Sequence, residues 1–87
     1  MKEDQIVIST RFILNDNMPI LHVTHDTDGV WQCLNNETEL KEEDAVVLSL
    51  DEIIEIDPTL LEITHIPMGS KAYRKNIGSE WIILNDN

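Results

Sequence analysis

The chain has 87 residues, enough for one domain around a single core. Seventeen Asp and Glu against six Lys and Arg give a formal net charge of −11, which disfavours nucleic-acid phosphates and anionic lipid and favours a basic partner. A single cysteine, Cys33, excludes an internal disulfide and a four-cysteine zinc site, and no apolar run approaches the roughly 18 residues of a membrane span.

The opening MKEDQIVIST lacks the apolar stretch and small-residue cleavage pattern of a secretory signal, so a cytoplasmic location is expected. Residues 6–14, IVISTRFIL, alternate with period two and are rich in β-branched side chains. This predicts a strand with Ile6, Ile8, Phe12 and Leu14 on the core. Asn15, Asp16 and Asn17 supply turn chemistry ahead of Pro19.

Residues 20–34 read as a hairpin turning at Asp28-Gly29, since Gly accepts positive φ and Asp can bond its own backbone. Two registers are open. Both place Leu21, Val23, Val30 and Leu34 on one face, the expected core, and His22, Thr24, Trp31 and Cys33 on the other. Trp31 is large enough either to be buried or to line a cleft. Residues 35–44 are polar and read as a surface loop with room for a helical turn over 39–44. Residues 45–48, AVVL, have the character of an interior strand.

Ser49 followed by Glu52 matches a capping box. Leu50, Ile53 and Ile54 then form an apolar stripe for a short amphipathic helix, with Asp51, Glu52 and Glu55 on its wet side. Asp51 and Glu52 also fall in the first turn, where the helix dipole favours negative charge. Pro58 ends that helix, and Asp57-Pro58 suggests a second start, with Asp as N-cap and Pro at N1. Leu60, Leu61 and Ile63 are the candidate core residues of this second piece. Pro67 and Gly69 mark a tight connection, and residues 70–76 hold Lys71, Arg74 and Lys75. Residues 81–84, WIIL, predict a last short strand.

The predicted fold class is α+β: a small antiparallel sheet of four or five strands with one or two short helices packed on it. One domain spans residues 1–87, with an ordered core over about residues 5–84.

Metal chemistry would need convergence of His22, Cys33 and His65, which no ligand spacing supports. Cysteine catalysis would need a thiolate and a base, and His22 is the available partner for Cys33. A buried cysteine is the plainer reading. Asp26, Thr27 and Asp28 resemble the start of a calcium loop whose later ligands are missing. The three glycines are scattered and form no phosphate cradle. Lys71, Tyr73, Arg74 and Lys75 make too small a basic patch on this acidic chain for a nucleic-acid partner. No cofactor and no enzymatic activity are therefore expected.

Protein binding is the better class. Residues 37–62 hold ten carboxylates and one lysine, Lys41. Such a surface steers a basic protein, and aromatics or Arg would anchor it. Trp31, Tyr73, Arg74 and Trp81 are candidate anchors, with Glu52 and Glu55 on the acidic face. Each anchor has a structural alternative: both tryptophans can complete the core, and Arg74 can pair with an internal carboxylate.

The order of segments also carries a resemblance. It comprises Ile8 to Arg11, then Asp28-Gly29-Val30-Trp31-Gln32, then Ser49-Leu50-Asp51-Glu52-Ile53 leading into Asp57-Pro58-Thr59-Leu60-Leu61. Pro67-Met68-Gly69-Ser70-Lys71-Ala72-Tyr73-Arg74 and Trp81 follow. This succession, over about residues 8–82, resembles a widespread family of small bacterial proteins of unknown function, related to immunity proteins of polymorphic toxin systems. The resemblance implies a compact, cytoplasmic α+β domain without established catalysis. The leading expectation is a non-enzymatic protein-binding domain, an immunity protein masking a basic toxin. The alternative is a self-associating structural or regulatory domain, a homodimer pairing through strand edges at residues 81–84 or 6–14. A small enzyme or metal protein using His22, Cys33 and His65 comes third.

Overall fold

The computed structural model describes residues 5–36 and 41–85. Within them, residues 6–14 do not run as one strand. β1 (Ile6–Thr10) ends where Thr10, still extended, accepts a hydrogen bond from the Ile13 amide and caps the short helix α1 (Arg11–Asn15). The inward face of β1 is also the opposite of the expected one. Val7 and Ser9 are buried, while Ile6 is 50% exposed. Ser9 is tolerated there because its hydroxyl donates to the Cys33 carbonyl at 2.8 Å, so its buried hydroxyl is satisfied.

β2 (His22–His25) and β3 (Trp31–Leu34) form the predicted hairpin, but in a register that neither sequence option allows. A two-residue turn at Asp28-Gly29 would pair residues of opposite parity. Instead the Gly29 amide donates to the Asp26 carbonyl and Asp26 donates to Val30, leaving three residues in the loop. Gly29 sits at φ +92°, the left-handed position such a loop requires. One residue of shift moves every side chain to the other face. Val23 therefore shares its face with Cys33, and His25 with Trp31, while His22 pairs with Leu34 and Thr24 with Gln32 on the reverse.

After a 3-10 turn at Glu42–Asp44, β4 (Ala45–Ser49) pairs antiparallel with β1. It is an edge strand rather than the interior one expected, and Val47 is 67% exposed. The expected start of that turn, residues 39–40, lies outside the described residues. α2 (Leu50–Ile56) begins in the predicted capping box: Ser49 Oγ accepts the Glu52 amide at 3.1 Å and Glu52 accepts the Ser49 amide at 2.8 Å. Asp57 then caps a 3-10 helix, Pro58–Ile63, with Pro58 in its first turn as predicted. Leu60 and Ile63 of that helix are buried, whereas Leu61 points to water.

Sequence reading missed β5 (Ser70–Tyr73), which pairs with β2, and β6 (Ile82–Asn85) completes the sheet. The order is β4-β1-β3-β2-β5-β6, with β1–β3 the one parallel pair. The protein is thus a small α+β domain with a six-stranded, mixed, mostly antiparallel sheet, one strand more than the upper expectation. β1 is interior, which removes residues 6–14 as a candidate pairing edge.

α1, α2 and the Pro58–Ile63 helix lie on one face of the sheet. There Val7, Val23, Trp31, Cys33 and Ala72 from the strands meet Ile13, Ile53, Leu60 and Ile63 from the helical layer. Each such aliphatic side chain contributes roughly 1.5–3 kcal/mol on burial, so this layer contact is what holds the fold. The other face carries no helix among the described residues. One row of paired residues across it reads Val47, Ile8, Gln32, Thr24, Lys71, Leu84. Antiparallel sheets tolerate such one-sided covering.

Candidate functional site

The acidic stretch is built on two short helical pieces whose apolar residues fix its orientation. Ile53 in α2 and Leu60 with Ile63 in the following 3-10 helix are drawn into the core. Helical spacing then turns the intervening carboxylates outward. Asp51, Glu52, Glu55 and Glu62 are exposed, and so are Glu42 and Glu43 in the preceding 3-10 turn. Asp44 and Asp57 are the two described carboxylates of this stretch held in ion pairs. Asp44 binds Arg11 at 2.7 Å on the surface, a pair worth little in water. Glu52 is occupied by its capping bond. Asp51, Glu55, Glu62, Glu42 and Glu43 carry no ion pair among the described residues. Glu37 and Glu39 lie outside the described residues.

Asp57 turns the other way. Its Oδ2 accepts from Arg74 at 2.7 Å, and its Oδ1 accepts the Thr59 amide and hydroxyl. Arg74 is 3% exposed, and each of its three side-chain nitrogens has an internal partner. Nε donates to the Ile20 carbonyl at 3.1 Å and Nη1 to the Thr59 hydroxyl at 2.9 Å. Its guanidinium also lies 4.2 Å from the centre of the Trp81 ring. This is a clamp joining the end of β5 to the 3-10 helix and the β1–β2 connection. It corrects Arg74 from a surface anchor to an internal one, because the side chain is buried and each of its nitrogens is already engaged inside.

Trp31 moves in the same direction. It is 1% exposed, stacks on His25 with ring centres 3.8 Å apart, and donates its indole N–H to Gln5. His25 is held in turn at 3.0 Å from the Ile66 carbonyl. Trp81 packs half-buried against the core, with its indole N–H buried and unmatched among the described residues. Of the four aromatic or arginine candidates Tyr73 is the most open, 37% exposed and stacked 6.3 Å from His22 on the open sheet face, while Trp81 is partly exposed.

The residues considered for metal or thiol chemistry are not brought together. His22 points to the open face, Cys33 lies in the core beneath, and His65 is exposed on the helical side of the chain. No group of three or more His, Cys, Asp and Glu among the described residues could hold a metal ion. Burial, with the Asp57 charge adding to it, pushes the Cys33 thiol up to about 12, the opposite of what a nucleophile needs. Asp26 and Asp28 are engaged locally, by Gln32 and by the Val30 amide respectively.

One feature had no counterpart in the sequence reading. A shallow groove runs between α1 and the end of α2, lined by the exposed side chains of Met18, Ile56 and Ile77 and by Asp57. The three apolar residues are far apart in the chain, and each taken alone looks like a loop or helix-end residue. No helix of the described residues is long and apolar enough to cross a membrane. No protein-family model, no curated protein and no solved structure matches the chain.

Proposed function

We propose that the protein is a non-enzymatic protein-binding domain whose acidic helical surface takes up a basic protein, in the manner of an immunity protein masking a basic toxin. The observation carrying this reading is the outward set of Asp51, Glu55 and Glu62, without an ion pair among the described residues, on a layer fixed from below by Ile53, Leu60 and Ile63, with Glu42 and Glu43 exposed ahead of β4. Carboxylates that satisfied one another or an internal base would have nothing to offer a partner. These do not. The array acts first on association rate, concentrating a cationic partner near the surface, and the apolar rim of Met18, Ile56 and Ile77 supplies area that water can be driven from.

The test is capture from a bacterial extract by the immobilised protein at low salt, run beside the variant Asp51→Asn/Glu55→Gln/Glu62→Gln. The reading expects a basic protein retained by the parent, released by salt and missed by the variant. Equal retention by both proteins, or no basic protein retained at all, contradicts it.

A further inference from the structure

β6 hydrogen-bonds to β5 on one side and, among the described residues, pairs with no strand on the other, so one row of its amides and carbonyls faces away from the sheet. Its side chains are as open as its backbone. Ile82 is 48% exposed, Ile83 40% and Leu84 47%. Ile82 and Leu84 share the open face with Tyr73 and Lys71, while Ile83 points to the helical side beside Ala72. The helical layer therefore stops short of β6. Ile82–Asn85 carries no charge and no proline, and no strand among the described residues pairs with its outer edge.

The opposite edge is guarded. β4 is preceded by Glu42, Glu43 and Asp44 and followed by Asp51 and Glu52 of α2. Any acidic chain approaching it meets carboxylates at both ends. Along β5, β6 and their connection the described charges are Lys71, Arg74, Lys75 and Glu80, and Arg74 is already committed to Asp57. For a chain of net charge −11, this is the edge where a second copy can approach without facing an acidic surface.

From this we infer that β6 is a self-pairing edge, and that two copies of the chain join antiparallel along Ile82–Asn85 into one continuous sheet. An antiparallel pair of identical strands closes on a two-fold axis, so the contact saturates at two copies. Opposed residues in such a pair point to the same face. Ile82 and Leu84 of both copies therefore meet on the open face, Ile83 meets its counterpart region on the helical side, and both helical layers lie on one side of the joined sheet. The pairing is independent of the acidic surface proposed above, and each can fail without the other.

Light scattering and sedimentation of the full chain across a concentration series test it, beside the variant Ile82→Lys/Leu84→Lys, which alters two exposed positions only. The parent is expected to pass from monomer to dimer, and the variant to need at least about tenfold more protein for the same fraction of dimer. Hydrogen exchange of the parent gives a second readout that needs no variant: β6 amides slow at high concentration while those of β4 do not. A parent that stays monomeric at every concentration overturns the inference. So does a dimer with unprotected β6 amides, and so do open-ended polymers, which would mean β6 pairing with β4 of the next copy.

Discussion

Replacing Arg74 by methionine removes the clamp's cation and leaves the hydrocarbon. The substitution breaks bonds to the Ile20 carbonyl, the Thr59 hydroxyl and the Asp57 carboxylate, and it strips the cation from the Trp81 face. Asp57 is left mostly buried, its side chain 12% exposed, with only the Thr59 donors to meet its charge. Removing one partner of a buried pair costs about 3–5 kcal/mol, most of it from the charge left behind. A domain of this size has a total stability near the low end of about 5–15 kcal/mol, so Arg74→Met should sit close to the edge of folding. Urea unfolding followed by tryptophan fluorescence measures it. With a slope of about 1 kcal/mol/M for a small domain, the midpoint should fall by about 3 M or more. Arg74→Met/Asp57→Asn should recover part of the loss, since the orphaned charge is gone. A midpoint shift below about 1 M for Arg74→Met alone would refute the clamp and return Arg74 to the list of surface residues.

Three further outcomes are expected. Ser49→Ala removes one half of the capping box and should cost about 1 kcal/mol, read as a urea midpoint shift, while Asp51→Asn should change stability by less. Cys33 should resist alkylation in the native protein at mildly alkaline pH and react once urea unfolds it, because burial holds it as the thiol. The same burial makes stability depend on pH. The thiol's native value of about 12 lies above its unfolded value of about 8.5, so the contribution is complete below about pH 8.5 and lost as pH climbs towards about 12. Over that window the parent should lose up to about 1.4 kcal/mol per pH unit more than Cys33→Ala, whatever the two proteins' difference at neutral pH. Equal slopes would contradict a buried native thiol.

The parts of the fold that were legible in the sequence are those whose signals are local. Ser49 with Glu52, and Asp57 with Pro58, announce helix starts through hydrogen bonds that span two or three residues, and both starts form as written. The errors belong to elements decided from a distance. Whether the hairpin turn has two residues or three depends on Gly29 following a bonded Asp26 turn, and that one-residue difference turns Trp31 and Cys33 into the core, on the face opposite His22. Phe12 and Leu14 extend the alternation of β1, yet the Thr10 cap coils them into α1. β5 escaped notice because its core contribution is a single alanine, Ala72, between Lys71 and Tyr73. The site divides the same way. Outward carboxylates follow from helical spacing. The Asp57–Arg74 pair, seventeen residues apart, and the rim of Met18, Ile56 and Ile77 exist only once the chain is folded.

The central claim is that the carboxylates of residues 42–62 form the surface on which a basic protein docks. Its most direct test is a two-dimensional amide NMR titration of the labelled protein with the captured basic partner. The titration is run at low salt and again near 1 M, where the Debye length shrinks to about 3 Å. The account predicts shifts centred on Glu42–Asp44, Leu50–Ile56 and Pro58–Ile63, with binding weakened strongly by salt. Shifts centred on the open sheet face around His22, Lys71 and Tyr73, with affinity indifferent to salt, would contradict it.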